Sequence, residues 1–386
     1  MSVIYFDNSA TTKMSQGARE KMCQIASENY GNPSSLHNLG LEAERLLSGA
    51  REEIAKSLGI LRLTRGEIIF TSGGTESNNL AILGTVFAKK RTGKEKILTT
   101  SGEHASVEEP LLYLEKMGYQ IVRVPTKGGA LDLDFIRENA NGAILATFMQ
   151  VNNETGALYD IKSAFEIVKE KSPEAVLHTD CVQSYLKVPF TKKSLGADLI
   201  SVSSHKVNGP KGVGALYVSP EIIKAKKLSP LFFGGGQEMG MRSGTENLYS
   251  ICAFAEAVRE HISNKGEAEK ISELRAYIAN GIEKIEGARV NYPEKSAPHI
   301  LNITIFGIRS ETVLHFLSRE GIYVSSGSAC ASNGPKKVSL ALSSFGLDTK
   351  EIDSSIRISL SGENTKEEAD KLFEALEKAI KMLARR

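Results

Sequence analysis

Apolar, β-branched runs recur through the first half of the chain, at 67–71 (EIIFT), 96–100 (KILTT), 121–124 (IVRV), 143–149 (AILATFM), 175–179 (AVLHT), 198–203 (DLISVS) and 213–218 (VGALYV). Most are near-continuous apolar runs of strand length, the pattern of strands buried on both faces. Helix-period stretches separate most of them, for instance 78–90 and 161–171. Strands alternating with helices predict an α/β fold with a mostly parallel seven-stranded sheet covered on both sides. Upstream, helices are expected from about Gln16 and over 41–58, the latter ended by Gly59, with the loop YGNPSSLHNLG between them.

The pattern changes after Gly234-Gly235-Gly236. A long charged helical region is expected over about 248–286, then β structure at 299–306 and 322–325 with a helix at 311–320 between. The last helix opens on a capping box, Thr365 with Glu368, and lines up Ala369, Leu372, Phe373, Leu376, Ile380 and Leu383 on one face. The expected organisation is a large α/β domain over 15–250 and a smaller α+β domain made of 1–14 and 251–386.

Composition narrows the function classes. With 386 residues there is room for a large core. Forty-eight Lys and Arg against 46 Asp and Glu leave a net charge of +2, which gives no broad footprint for nucleic acid or a membrane surface. No apolar run approaches the ~20 residues of a membrane span, and the start MSVIYFDNSATT lacks the pattern of a signal peptide. The four cysteines, Cys23, Cys181, Cys252 and Cys330, are scattered without CxxC pairing. That argues for reduced thiols and a cytoplasmic setting, with no metal site.

Candidate chemistry gathers just after the strands. The run at 198–203 ends at Ser203-Ser204-His205-Lys206. A lysine at the carboxyl end of a buried strand lies where open α/β sheets bind ligands, and desolvation makes its amine a nucleophile able to form a Schiff base. Taken alone, the tetrapeptide reads equally well as a solvated loop. Gly73-Gly74-Thr75 joins a strand to a helix start, where backbone N–H groups can cradle an anion; alone this is a weak signal. Asp180 ends another strand and suits either a protonated ring nitrogen or a helix N-cap, with Gln183 three residues on. His104 follows the strand at 96–100, and Asn152-Asn153-Glu154 follows 143–149. A parallel sheet brings all these groups to one edge.

Together these segments resemble a family. DNSATT at 7–12, GNPSSLH at 31–37, FTSGGTESNNLAI at 70–82, EH at 103–104, NNETG at 152–156, DCVQS at 180–184, SSHKVNGPKGVGALYV at 203–218, GGGQEMGMRSGTEN at 234–247, SSGSACAS at 325–332 and SSIRISL at 354–360 resemble the NifS/IscS-type cysteine desulfurases. These are class V pyridoxal-phosphate enzymes, and the matches run in order over nearly the whole chain. The resemblance implies a fold-type I homodimer converting L-cysteine to L-alanine, with Lys206 holding pyridoxal 5'-phosphate. Asp180 would pair with the ring nitrogen and His104 would stack on the ring. Gln183 and Asn153 would contact the phenolic oxygen, and Gly74, Thr75, Ser203 and His205 the phosphate, joined by Thr245 from the other subunit. Arg357 would clamp the substrate carboxylate, with Asn32 beside it. Cys330, in the small-residue loop SSGSACASNGP, would attack the substrate sulfur and keep it as a persulfide. An acceptor protein, an iron–sulfur scaffold or a tRNA-thiolation protein, would then take the sulfur; neither nucleic acid nor membrane is an expected partner.

The chain departs from the family pattern at Asn208, where tyrosine is usual, at Phe233 and Met239, and in the loop after Cys330. Rival readings are a selenocysteine lyase, another class V enzyme, or a sulfur-relay subunit with weak catalysis.

Overall fold

The computed structural model describes residues 3–89, 94–326 and 338–383. In chain order its strands are β1 (Ile4–Tyr5), β2 (Ile68–Thr71), β3 (Lys96–Thr100), β4 (Gln120–Val124), β5 (Ala143–Met149), β6 (Val176–Asp180), β7 (Leu199–Ser203) and β8 (Gly214–Val218). They continue with β9 (Ala288–Val290), β10 (Ile300–Ile305), β11 (Ile322–Tyr323), β12 (Ser325–Ser326) and β13 (Ser355–Ser359).

The seven runs that read as buried strands are β2 to β8, and they form one sheet in the order β2-β8-β7-β6-β5-β3-β4. Strand β8 pairs antiparallel with both of its neighbours, while β7, β6, β5, β3 and β4 are mutually parallel. Every residue of β6, β7 and β8 is buried, as strands covered on both faces require. On one side the sheet packs against a core that includes Leu47 and Ile54 of helix Asn38–Ser57 and Phe165 of Ile161–Lys171. On the other lies helix Gly74–Phe87, with Leu80, Ile82 and Val86 buried.

A second core gathers around the antiparallel sheet β12-β13-β10-β9. Helix Glu267–Ile282 contributes Ile271, Leu274, Ile278 and Ile282, and Lys366–Leu383 contributes Leu372 and Leu376, all at helical spacing. Thr365 and Glu368 form the reciprocal hydrogen bonds of the expected capping box.

Two expectations change. The helical stretch 248–286 is two helices, Leu248–Ser263 and Glu267–Ile282, parted at Gly266 with φ 95°, a left-handed conformation that suits glycine. The first of them, placed with the smaller unit from residue 251 onward, instead buries Ile251, Phe254 and Val258 in the larger core. Its partner is helix Gln16–Glu28, met at close range through Ala18, Ala253 and Ala257.

Candidate active site

Parallel pairing sets neighbouring strand ends side by side: Met149 of β5 faces Asp180 of β6, and Asp180 faces Ser201 of β7. Beyond that edge lies a cavity of about 250 Å³ lined by Gly74, Thr75, His104, Asn153, Asp180, Gln183, Ser203, His205 and Lys206, with Ser106, Met149, Val151 and Val182. Nine sequence-predicted residues therefore share one chamber.

Lys206 closes a short 3-10 turn, Ser204–Lys206, that follows β7 directly. Its Nζ donates to the carbonyls of Ser9 at 2.5 Å and Ala10 at 2.9 Å. Asp180 is buried and accepts at both oxygens, from Asn78 Nδ2 at 2.7 Å and from the Val182 N–H at 2.8 Å. Its carboxylate therefore organises a turn and does not cap a helix.

Asn78 Nδ2 also donates to Ser106 Oγ at 2.8 Å, and Ser106 Oγ lies 2.8 Å from His104 Nδ1. The Ser106 N–H donates to the same Nδ1, at 3.1 Å, as His104 caps helix Ala105–Lys116. With Nδ1 accepting, the neutral ring carries its proton on Nε2. Burial pulls the His104 imidazolium below the usual histidine range; Asp180 opposes this, and Lys206 and Arg357 add to it. His205 is pushed down to about 4, chiefly by burial and then by the charge of Lys206. Both rings are thus neutral at pH 7.

Also on the chamber wall, helix Gly74–Phe87 begins with no side chain capping it. Gly73 adopts φ 150°, and a Cβ on Gly74 would come within 2.7 Å of Val182 Cγ2. Only glycine lets these N–H groups stay accessible. Ser203 Oγ and Gln183 Oε1 are buried without a hydrogen-bond partner, although Gln183 Nε2 donates to the Ser9 carbonyl at 3.0 Å.

Arg357 lies in β13, is 6% exposed, and is held from two sides. Its Nη1 donates to the Asn153 carbonyl at 2.9 Å and its Nη2 to Asp7 Oδ1 at 2.7 Å. Asn32 and Thr245 are exposed and do not line the chamber; Asn32 Oδ1 accepts from the Ser34 N–H. Cys330 lies outside the described residues. The segments that flank its loop can be placed: Ser325 pairs with Arg357 across β12 and β13, and Ser339 Oγ donates to Glu154 Oε2 at 2.7 Å.

The remaining thiols are different. Burial pushes Cys181 up to about 12 and Cys252 to about 11, which leaves both protonated and inert, while Cys23 is exposed. Among the described residues no cluster of His, Cys, Asp and Glu is arranged to hold a metal, and no helix is long and apolar enough to cross a membrane. Sequence reasoning missed Asp7, Ser9, Asn78 and Ser106. All four stand inside or beside motifs it had quoted, DNSATT, TESNN and EHAS, but their roles depend on contacts distant in sequence.

The family profile "Aminotransferase class-V" matches residues 4–372, and the chain belongs to that family. Among its relatives, a "NifS/IcsS protein homolog" of Lactobacillus delbrueckii subsp. bulgaricus is 41% identical, with 97% of this chain and 96% of the relative covered. "Cysteine desulfurase IscS" of Dictyoglomus turgidum is 38% identical over 98% of this chain and 95% of its own length. A solved "NifS-like protein" superposes with a TM-score of 0.91 at 34% identity, covering 99% of this chain and all of that one. The architecture is accordingly the type I fold of pyridoxal-phosphate enzymes.

Proposed function

We propose that the protein is a pyridoxal-phosphate-dependent cysteine desulfurase that releases alanine from L-cysteine and leaves the sulfur as a persulfide on Cys330. The observation that carries this reading is one chamber whose wall brings together an anion cradle, a buried carboxylate and a lysine. The residues fit the cofactor on physical grounds. Uncapped N–H groups at Gly74 and Thr75 and the unpartnered Ser203 Oγ suit a phosphate; the unpartnered Gln183 Oε1 and the Asp180 carboxylate suit polar groups on a ring. Asp180 would hold the ring nitrogen, His104 a ring face, and Lys206 the reactive carbon.

When bound, the cofactor supplies the electron sink for bond breaking at the substrate α-carbon. The protein does the rest. Arg357 has five N–H donors and uses two on Asp7 and Asn153, so it keeps donors for the substrate carboxylate. The Lys206 amine takes the α-proton and later returns one. His104, neutral with its proton on Nε2, can donate into the chamber at neutral pH without adding charge. The Cys330 thiolate attacks the substrate sulfur: the S–S bond forms, the Cβ–S bond breaks, and carbon keeps the electron pair and gains a proton to become alanine. Sulfur is oxidised as carbon is reduced, and no outside oxidant is needed. The placement of Ser325 and Ser339 on either side of the Arg357 and Asn153–Glu154 corner supports this role for the intervening loop.

The reading extends to a homodimer. Phe233, Leu36 and Leu61 are large apolar side chains left exposed, and exposed Thr245 is free to serve a second copy's phosphate site. Cytoplasmic sulfur delivery to an acceptor protein, for iron–sulfur clusters or tRNA thiolation, completes the proposal.

The test compares the protein with Cys330→Ala for visible absorbance of bound cofactor and for alanine formed from L-cysteine. Both proteins are expected to show the absorbance, and only the parent alanine. Full alanine production by Cys330→Ala would replace the persulfide step with lyase chemistry, and a protein without cofactor would end the proposal.

A further inference from the structure

A second chamber of about 340 Å³ lies behind the Lys206 turn, where helices Leu248–Ser263 and Glu267–Ile282 meet the loop before β10. Two side chains with buried nitrogens line it. Lys187 Nζ is inaccessible and has no hydrogen-bond partner. His299 is fully buried, with its ring against the Gln183 backbone. Helix Glu267–Ile282 also points its start here: Gly266 and Glu267 line the chamber, and no side chain caps the helix.

An unpaired buried ammonium is costly, and a native fold rarely leaves one without a partner. Neither acid on this wall, Glu267 or the exposed Glu269, bonds it. Glu267 Oε2 is taken by Asn264 Nδ2 at 3.3 Å and faces His261 Nδ1 at 3.5 Å, and His261 Nε2 is held by Asn208 Oδ1 at 3.0 Å. Lys187 donors and open helix N–H groups therefore line one cleft, the donor set of an oxyanion site. The site is separate from the catalytic chamber, with which it shares no lining residue.

We infer that this chamber is a second binding site, for a small oxyanion such as phosphate or a carboxylate, held by Lys187 and the start of helix Glu267–Ile282. Burial, with the nearby charges of Lys206 and Arg357, brings the Lys187 ammonium down to about 7, so an anion arriving there draws a proton onto the amine. The site also adjoins the catalytic machinery. Thr12 and Asn208 line it, and Thr12 Oγ1 donates to the His205 carbonyl and accepts from the Asn208 N–H, on either side of Lys206.

The test uses the protein saturated with pyridoxal phosphate and titrates it calorimetrically with inorganic phosphate and, separately, with acetate. Saturable binding is expected for at least one, weakened by about tenfold or more in Lys187→Met, where a charge-assisted bond is lost. The Arg357→Gln variant, which removes the carboxylate clamp of the catalytic chamber, is expected to keep the binding that Lys187→Met loses. Thermal melting gives a readout independent of heat: the anion raises the parent's midpoint and leaves that of Lys187→Met unmoved. Which probe binds decides between phosphate and carboxylate. No saturable binding of either up to tens of millimolar, or equal binding by parent and Lys187→Met, would overturn the inference.

Discussion

The sharpest test of the substrate site is Arg357→Lys. Of the guanidinium's five N–H donors, one on Nη1 is fixed by the Asn153 carbonyl at 2.9 Å and one on Nη2 by Asp7 at 2.7 Å. Nε–H has no partner, and one N–H remains on each Nη, so three donors are left and two of them can meet a carboxylate as a fork. A lysine in its place has three donors in all. With Asn153 and Asp7 served, one remains, and one charge-assisted bond to substrate is lost. Such a bond is worth about 1.5–3 kcal/mol, or roughly a 10- to 150-fold drop in kcat/KM for L-cysteine. The loss is expected mostly in KM, because the carboxylate is bound before and during the reaction alike. The assay is alanine formation against cysteine concentration, with the visible spectrum recorded to show that cofactor is retained. A folded, cofactor-loaded variant with kcat/KM within about threefold of the parent would refute the carboxylate clamp.

Two further outcomes follow from buried carboxyl groups. Burial pushes the Glu103 carboxyl up to about 8, although Thr100 Oγ1 and the Met149 N–H donate to its Oε1 at 2.7 and 2.9 Å. The native state keeps that proton between 4.5 and about 8 while the unfolded chain has lost it, so this group's contribution falls as pH rises through that window. Glu103→Gln should therefore gain on the parent in urea midpoint as pH is raised from 4.5 to about 8, and an unchanged pH slope would contradict the assignment. Glu238 binds Arg51 with both oxygens, at 2.6 and 2.8 Å, and accepts from the Phe70 N–H at 3.0 Å with its side chain 2% exposed. Glu238→Ala should cost about 3–5 kcal/mol in urea denaturation by stranding a buried guanidinium; a loss below about 1 kcal/mol would class the pair with surface bridges.

The strands were legible because burial on both faces leaves its mark residue by residue: the seven apolar runs differ from β2 to β8 by no more than one residue at any end. Placement of the chemistry was legible for the same reason, since a parallel sheet puts Met149, Asp180 and Ser203 at one edge whatever the loops do. The helical region at 248–286 misled because Gly266 sits within a charged stretch that otherwise suits a helix, and its left-handed backbone is a local conformation that periodicity does not register. The packing of residues 251–263 against the larger core was not legible for another reason: the helix's apolar stripe shows that one face is buried, but not against what. Asn78 and Ser106 were passed over because a polar residue on a helix reads as solvated until the fold brings an aspartate and a histidine to it.

The N-terminal segment explains why the two cores act as one site. Residues 7–12 read from sequence as a turn-rich motif with no assignable work. In the fold, Asp7 holds Arg357, Asn8 Nδ2 donates to the Ser359 carbonyl at 3.1 Å, and the Ser9 N–H donates to Ser359 Oγ at 2.8 Å, so this strand end is bound to β13 of the smaller sheet. Two steps on, the carbonyls of Ser9 and Ala10 receive Lys206, Ser9 also receives Gln183, and Thr12 Oγ1 donates to the carbonyl of His205. Six residues thus connect the carboxylate clamp on one sheet to the lysine on the other. The segment is short, and these bonds all run to residues more than a hundred and seventy positions away, so its distance from Arg357 to Lys206 is set by backbone length and not by side-chain packing. A displacement of the smaller sheet therefore carries Arg357 and pulls on the carbonyls that orient Lys206 at the same time. On the proposed roles of Arg357 and Lys206, this strap would tie substrate position to proton transfer, a coupling that the chemistry of its own side chains gives no reason to expect.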